Sequence, residues 1–275
     1  MSDQLLIIAA LNGTRSRDEC PKLPLSLDAL ASEARRAVAA GAGMVHVHAR
    51  REDGTPAFDL VVDDIVAAIR AEVDVPISLS TQRTRQTSLG TVTALFSVLR
   101  ELPDVGVVYV RPPEPDLPAH REEARQILNA LDRAGVRPAP VAGTLDGIND
   151  LAVLYQDSLL GRSPFLMLTF GASVSDAAEY TAGTPHNMLR LMDAAHSELA
   201  QFPIVASGRD EASPVVQAVA AAAGAHVRVG FEDSVTLPDG SPATSNAQLV
   251  ELAVKLGAAL GRAPMPPNEA RRLLR

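Results

Sequence analysis

The sequence predicts an α/β protein with a closed (β/α)8 barrel, and three observations support this. Short apolar runs of strand length alternate with amphipathic segments of helix length, about eight times along the chain. No linker or shift in composition interrupts the alternation, so residues 1–275 are expected to form a single domain. With 47% hydrophobic residues the chain can bury a large core, and α/β barrels of this length fold as one domain.

Each predicted strand is a short apolar run bounded by turn residues. The run from Leu5 to Leu11 contains no polar residue, which is typical of a strand buried on both faces, and Asn12-Gly13 ends it. The predicted strands cover residues 5–11, 44–50, 76–81, 105–111, 137–144, 165–170, 204–207 and 227–231.

The predicted helices lie between these strands and have recognisable ends. Ser26 is placed as the N-cap of the first helix, which Gly41 and Gly43 close, and Thr184-Pro185 is placed as the N-cap and first position of the sixth. The predicted helices cover residues 27–40, 60–73, 88–100, 119–134, 148–160, 185–200, 214–223 and 245–260.

Composition excludes several classes of protein. The net charge is -8 and no block of Lys or Arg is present, which argues against nucleic acid as the main partner. The single cysteine, Cys20, rules out a disulfide framework. The apolar start from Leu5 to Leu11 lacks a basic flank and is too short to cross a bilayer. We therefore expect a cytoplasmic protein without a membrane partner.

Two histidines follow the alternation of the second strand. Side chains two apart on a strand lie on one face, so His46 and His48 can reach one ion together. The alternative for each is an ordinary surface histidine or a hydrogen-bonded core histidine. Arg228, within the eighth strand, and Glu232, just after it, are expected on one face of this apolar segment. Two imidazoles with the Glu232 carboxylate would make an open zinc site.

The barrel architecture predicts where these residues meet. In such barrels the chemistry lies at the carboxyl ends of the strands. The second and eighth strands both flank the first, which brings the histidines and Glu232 within reach of each other. His226, at the start of the eighth strand, is expected at the opposite, structural end. The residues gathered at the mouth are Asn12, His48, Ser80, Thr81, Arg111, Thr144, Ser207, Gly208, Arg209, Glu232 and Asp233.

With these residues assembled, the chain resembles the β-keto acid cleavage enzyme family, which includes the 3-keto-5-aminohexanoate cleavage enzymes. The resemblance covers nearly the whole chain, and its most specific motif is the segment 224–233; it also includes Asn12-Gly13, the segment 41–50 and Ser245-Asn246. It implies that His46, His48 and Glu232 bind Zn²⁺ or another divalent metal, that Arg228 and Asp233 handle protons, and that Ser80 helps to hold the substrate carboxylate. It also implies a homo-oligomer, a dimer or tetramer.

The reaction that the resemblance implies condenses a β-keto acid with acetyl-CoA and cleaves the adduct by a retro-Claisen step, giving acetoacetate and a new acyl-CoA. Thr81, Asn12, Arg111 and Arg209 are further candidates for substrate binding. The arginines at the strand ends, with Arg15 or Arg17 of the first loop, are candidates for contacting CoA phosphates or the substrate carboxylate.

Two positions depart from the family members that act on an amino-bearing substrate. Those relatives have glutamates where this chain has Thr14 and Gly143-Thr144, and the nearest acidic residue is Asp146. The departure predicts a substrate without a positive charge, because a cation would lack its counter-charges.

Other hypotheses remain open at this stage. A metal-dependent aldolase or hydrolase on the same barrel would use similar chemistry without CoA. A small-molecule binding barrel with structural zinc is a non-enzymatic alternative, although three protein ligands are typical of a catalytic site. Asp233 and Arg228 can also be interpreted as a salt bridge that only closes the barrel.

Overall fold

The predicted alternation of strands and helices closes into a barrel in the computed structural model, which describes residues 4–82, 87–110, 117–171 and 180–275. All eight barrel strands are parallel, each is followed in the chain by a helix, and the last strand pairs with the first. The barrel strands are β2 (Ile7–Ala10), β3 (Met44–Val47), β4 (Ile77–Ser80), β5 (Val105–Tyr109), β6 (Arg137–Ala142), β7 (Leu166–Phe170), β8 (Ile204–Gly208) and β9 (His226–Val229).

The helices that follow the barrel strands begin where the sequence provides caps. The side-chain oxygen of Ser26 accepts a hydrogen bond from the backbone N–H of Ala29, and Thr184 does the same for Asn187 ahead of Pro185, as predicted. The helices are α1 (Leu27–Ala39), α2 (Val61–Glu72), α3 (Leu89–Val98), α4 (Leu117–Ala134), α5 (Leu145–Gln156), α6 (Pro185–Leu199), α7 (Ala212–Ala222) and α8 (Asn246–Ala259).

The sequence analysis missed a terminal closure. A short strand, β1 (Gln4–Leu5), pairs with β10 (Ala263–Pro264), and a last helix, α9 (Pro267–Leu273), follows. Met265 and Ala270 from this segment pack against the apolar residues inside the amino-terminal half of the barrel. These elements are too short for a periodic pattern, and for that reason the sequence did not reveal them.

The interior of the barrel changes character along its axis. At the amino-terminal end it is filled by apolar side chains such as Leu6, Ile8 and Met44, while a larger apolar cluster lies between the strands and the helices. Two residues further along the strands, the register places His46 beside Ser78 and Ala10 beside His46. The polar groups are therefore concentrated at the carboxyl end.

Within the described ranges, none of the helices combines the length with the apolar character that crossing a membrane requires.

Candidate metal centre

His46, His48 and Glu232 lie together at the carboxyl end of the barrel, and each is at most 6% exposed. The Nε2 atom of His46 lies 3.3 Å from Oε2 of Glu232, and Nε2 of His48 lies 3.4 Å from Oε1. The pairing of β2 with both β3 and β9 produces this approach, because it brings the two segments that carry these residues to either side of one strand.

The arrangement fits a divalent metal. One atom from each of the three side chains lies within 4.8 Å of the others, and three buried atoms, Nε2 of both histidines and Oε2 of Glu232, make no hydrogen bond to the described part of the chain. Buried polar atoms normally have a partner, because leaving one unpaired costs roughly 1–3 kcal/mol. Two imidazole nitrogens and a carboxylate oxygen are a ligand set that suits Zn²⁺ with a fourth position open.

Neighbouring strands orient both histidines. The Nδ1 atom of His46 lies 3.0 Å from the hydroxyl oxygen of Ser78, and a proton on Nδ1 leaves the Nε2 lone pair facing Glu232. The main chain of His48 is held by Asn12, whose amide nitrogen donates to the His48 carbonyl and whose amide oxygen accepts from the His48 N–H, each at 3.0 Å. Polar side chains on β4 and after β2 therefore hold the His46 ring and the His48 main chain.

Glu232 reaches the site through a turn, which corrects the predicted strand 227–231. The strand ends at Val229 because Gly230 adopts φ +146°, and a Cβ atom at Gly230 would lie 2.1 Å from the carbonyl oxygen of Ala10. A second glycine leaves room for the ligand, since a Cβ at Gly13 (φ +58°) would lie 2.4 Å from Cγ of Glu232. Both positions require glycine, and they aim Glu232 at the histidines.

A buried polar chain supports this turn from behind. The side-chain oxygen of Asn246, at the start of α8, accepts a hydrogen bond from the Phe231 N–H at 2.8 Å, and its amide nitrogen donates to the Leu11 carbonyl at 3.1 Å. Glu33 on α1 accepts from both the backbone N–H and the side chain of Asn246. The last turn of the barrel is thereby tied to two helices.

Arg228 and Asp233 form a bidentate ion pair beside the three ligands. Nη2 of Arg228 lies 2.6 Å from Oδ1 of Asp233, and Nε lies 3.2 Å from Oδ2. The same Nη2 atom lies 3.0 Å from Oε1 of Glu232. With neutral imidazoles, the cluster carries two carboxylates against one guanidinium, so its net negative charge favours a cation.

Burial and the neighbouring charges together set the protonation states in this cluster. Burial lowers the pKa of His46 to about 3, so the imidazole is neutral and able to act as a ligand. Burial also acts to raise the pKa of Glu232, but Arg228 and the two imidazoles hold that pKa well below its usual range. For Asp233 burial prevails over Arg228 and raises the pKa to about 6. Burial acts to lower the pKa of Arg228, but the carboxylates of Asp233 and Glu232 together raise it above its ordinary value.

The predicted substrate residues Ser80, Thr81 and Asn12 differ in the partners of their polar side chains. The hydroxyl oxygen of Ser80 accepts the Gln82 N–H at 3.2 Å and also makes a hydrogen bond with the Tyr109 hydroxyl. The Thr81 hydroxyl donates to the Val107 carbonyl, so its proton is directed into the barrel wall. Asn12 is fully buried against the His48 main chain. The Ser80 hydroxyl is thus linked to Tyr109, whose pKa responds to the charge of Glu232, whereas Thr81 and Asn12 brace the site.

The remaining predicted positions lie around this centre. Arg209 is half-buried after β8, and its positive charge lowers the pKa of Asp233, although less than the other groups do. Arg111 lies outside the described residues. Thr14 is exposed, and the Thr144 hydroxyl caps α5 by accepting the Gly147 N–H at 3.0 Å. Neither threonine supplies a negative charge.

Sequence analysis missed three kinds of supporting residue. Ser78 shares the face of Ser80 on one strand, so strand alternation alone could have identified it. Tyr109 ends an apolar strand and shows no sign of the site in the sequence, yet burial and then the negative charge of Glu232 raise its pKa, which places the phenol near the centre. The partners Glu33 and Asn246 lie far apart in the sequence, and no local signal connects them.

Comparison with known proteins agrees with this architecture. The chain is 30% identical over 288 residues to the 3-keto-5-aminohexanoate cleavage enzyme of Fusobacterium nucleatum subsp. nucleatum, covering 100% of this chain and 98% of the relative. It is 27% identical over 307 residues to the 3-dehydrocarnitine:acetyl-CoA trimethylamine transferase of Rhizobium meliloti, covering 100% and 97%.

A similar solved structure supports the fold. The apo structure of ObcA superposes with a TM-score of 0.72 at 17% identity, over 92% of this chain and 65% of that one. This chain therefore spans about two thirds of the length of ObcA. The sequence model of the beta-keto acid cleavage enzyme family matches residues 4–275. Matched over nearly its whole length, the chain belongs to the beta-keto acid cleavage enzyme family.

Proposed function

We propose that this chain is a divalent-metal-dependent acyltransferase that converts a β-keto acid and acetyl-CoA into acetoacetate and a new acyl-CoA. The observation that carries the proposal is the set of three buried, unpaired ligand atoms of His46, His48 and Glu232 beside the Arg228–Asp233 pair. The transferase of Rhizobium meliloti bears acetyl-CoA in its name, which supports the co-substrate.

His46, His48 and Glu232 would hold the ion. When bound, a divalent metal supplies Lewis acidity that makes the proton next to a keto group easier to remove. Asp233 is the proposed base for that proton, and its two contacts with Arg228 fix the direction of the carboxylate. Arg228 stays protonated and limits the negative charge that builds up beside Glu232.

The proposed reaction balances without a further reactant. The α-carbon of the β-keto acid gives its proton to Asp233 and attacks the thioester carbonyl of acetyl-CoA, which forms a carbon–carbon bond and releases the CoA thiolate. The thiolate adds to the original keto carbon, and the bond between that carbon and the α-carbon breaks. The α-carbon takes up the proton again, which leaves acetoacetate and the acyl-CoA.

Substrate contacts are assigned to hydroxyl and guanidinium groups at the mouth. We place the substrate carboxylate near Ser80, because that hydroxyl lies at the carboxyl end of β4 on the strand neighbouring β3. The backbone of Arg209 is hydrogen-bonded, but its guanidinium makes no hydrogen bond or ion pair with another described residue, so its donors can meet an anion. Arg111 is proposed for the same task. Thr81 and Asn12 are proposed to act by holding the walls that the substrate meets.

The proposed substrate carries no amine. At the two positions where relatives of amino-bearing substrates have acids, this chain has the exposed Thr14 and a helix-capping Thr144, and Asp146 is exposed on α5. We expect a higher kcat/KM for plain β-keto acids than for their aminated counterparts. A homo-oligomer and a cytoplasmic location belong to the same proposal.

The experiment is a turnover assay on purified protein of known metal content, with plain and aminated β-keto acids, each with and without acetyl-CoA. We expect near-stoichiometric zinc, strict dependence on acetyl-CoA, and preference for the plain acids. Turnover without acetyl-CoA would instead favour the metal-dependent aldolase or hydrolase. A wild-type protein that binds no divalent metal after reconstitution would contradict the proposal.

A further inference from the structure

The side chain of Arg15 contacts the turn that presents Glu232. Nε of Arg15 donates to the Phe231 carbonyl at 2.9 Å, and Nη2 donates to the Asp233 carbonyl at 3.3 Å. These carbonyls belong to the residues immediately before and after Glu232. The Arg15 guanidinium therefore holds the backbone on both sides of the proposed ligand Glu232. It does so through the two carbonyls and not through the Glu232 side chain.

Asp210, in the loop after β8, completes this arrangement. Its carboxylate oxygen Oδ1 lies 2.5 Å from Nη2 of Arg15, and its backbone N–H donates to the Asp233 carbonyl at 2.7 Å. Asp210 also has φ +48°, a left-handed conformation that is uncommon outside glycine and costs on the order of 1 kcal/mol or more. The strained backbone of Asp210 places both of its polar groups on the Arg15–Asp233 contact.

A second arginine fixes the loop that carries Arg15. Nη1 of Arg50 donates to the carbonyls of Gly13 and Arg15, at 3.1 and 2.7 Å, and its Nε donates to the Gly54 carbonyl at 2.9 Å. Arg50 follows His48 by two residues and is itself buried. The loop after β2 is thus braced against the His48 segment on one side and the Glu232 turn on the other.

We propose that Arg15 is a positioning residue that sets the placement of Glu232, and through it the metal affinity of the site, rather than a contact for CoA or substrate. This inference rests on the proposed metal site. The side chain of Arg15 is only 14% exposed, and three of its five N–H groups point at the turn or at Asp210. Residues that orient a ligand typically change metal affinity by 10–100-fold when they are removed.

The test compares Arg15→Met with Arg17→Met in the full-length protein. Arg17 lies in the same loop but is exposed, so it controls for lost charge. Zinc affinity is measured by competition with a chelator, and the absorption spectrum of the Co²⁺-substituted protein reports ligand geometry. For Arg15→Met we expect about 10-fold or greater weakening of zinc affinity with a changed Co²⁺ spectrum. Arg17→Met should retain the wild-type zinc affinity and spectrum.

Two milder variants keep the proposal testable if Arg15→Met does not fold. Arg15→Lys retains the charge opposite Asp210 but loses the fork that reaches both carbonyls. Asp210→Asn retains the backbone N–H to Asp233 but removes the anion that pairs with Arg15. Each is expected to weaken zinc affinity less than Arg15→Met and to shift the Co²⁺ spectrum in the same direction.

The outcomes separate this inference from the proposed function. If the wild type binds zinc and turns over, but the two Arg15 variants and Asp210→Asn all keep its zinc affinity and Co²⁺ spectrum, the positioning role is wrong and the proposed function stands. A raised KM for acetyl-CoA with unchanged metal affinity would overturn it too, because it would assign Arg15 to CoA. If the wild type binds no divalent metal, the proposed function fails and this inference fails with it.

Discussion

The two ends of the barrel both bury histidines, one at the amino-terminal end and two at the carboxyl end, but the ring nitrogens have different partners. At the amino-terminal end, Nδ1 of His226 accepts the Leu6 N–H at 3.1 Å. Nearby, Arg262 donates to the carbonyls of residues in the preceding loop and helix, including Ala221 and Ala225. At the carboxyl end, the Nε2 atoms of His46 and His48 face one carboxylate and make no hydrogen bond to a described residue.

The difference separates buried side chains that pair with the backbone from side chains whose unpaired atoms converge on one point. His226 and Arg262 stabilise the chain by pairing with backbone groups that would otherwise lose their partners on burial. At the opposite end, supporting residues such as Ser78, Asn12 and Asn246 are paired, while the atoms they aim are not. Unpaired atoms that converge on one point indicate a bound ligand, whereas paired ones indicate packing.

The largest expected effect is loss of the proposed metal at the carboxyl end. His48→Ala removes one of three ligands, and we expect metal affinity to fall by more than about 100-fold and turnover to fall with it, because even residues behind a ligand are worth 10–100-fold. Elemental analysis and turnover measure this. His226→Ala is the matched control and should retain its metal. Equal metal content in wild type and His48→Ala would remove the distinction between the two ends.

The next largest effect separates chemistry from metal binding at the same end. Asp233→Asn keeps the size of the side chain and one acceptor for Arg228 but removes the proposed base. We expect turnover to fall by about 10²–10⁴-fold, the usual contribution of a general base, with metal content retained. Asp146→Asn, at an exposed position of α5, is the control and should keep its turnover. Circular dichroism measures the folded fraction of Asp233→Asn. If the variant unfolds, but its folded fraction turns over at the normal rate, the Arg228–Asp233 pair has a structural role.

A smaller effect tests the glycine that makes room for Glu232. Gly13→Ala combines a positive φ with a Cβ that would lie 2.4 Å from Cγ of Glu232, so we expect a loss of about 3 kcal/mol of stability and weaker metal binding. Gly261→Ala is the control, because it also has positive φ (+73°) but no neighbouring atom within 4 Å of its Cβ. Denaturant unfolding and chelator competition measure both variants. Similar losses of stability and metal affinity would show that contact with Glu232 is unimportant.

The smallest effect concerns acid stability at the amino-terminal end. Burial lowers the pKa of His226 from the ordinary histidine value of 6.5 to about 4, with Arg262 contributing, so the folded protein keeps this imidazole neutral above pH 4. Stability from this group is fully present above pH 6.5 and declines as the pH falls from 6.5 through 4. At pH 5 we expect a loss of about 2 kcal/mol, from 1.36 kcal/mol per pH unit.

His226→Gln removes this titration, so its free energy of unfolding should change less than that of wild type between pH 6.5 and 5. Denaturant unfolding at fixed metal content measures the comparison. If the unfolding free energies of wild type and His226→Gln fall equally with pH, His226 does not take up a proton on unfolding in this pH range.

Much of the barrel was predictable from local patterns. Each of the eight predicted strands overlaps an observed one, and Ser26 and Thr184 cap their helices as expected, because periodicity and caps are properties of neighbouring residues. Strand ends were less predictable. The last strand was extended to Phe231, but Gly230 ends it, since the close approach of the Ala10 carbonyl is a contact between distant segments.

The three ligands of the candidate centre were predictable for a similar reason, but most of the hydrogen bonds that support them were not. His46 and His48 stand two apart on one strand, so alternation alone placed them on one face, and the parallel barrel brought Glu232 to them. The hydrogen bond between Asn246 and Phe231 joins residues 15 apart in the sequence, and the one from Arg15 to the Asp233 carbonyl joins residues 218 apart. Such contacts leave no periodic trace in the sequence.

The sequence by itself therefore determined the alternation of strands and helices and the residue types at the carboxyl ends, because both depend on local geometry with fixed periods. Only the tertiary structure decided which polar atoms find partners. His226 and His46 both lie next to apolar residues in barrel strands, and folding brings different partners beside them: a backbone N–H for His226, and a carboxylate and a second imidazole for His46. That difference depends on how the strands pair around the closed barrel, which is a property of the whole chain.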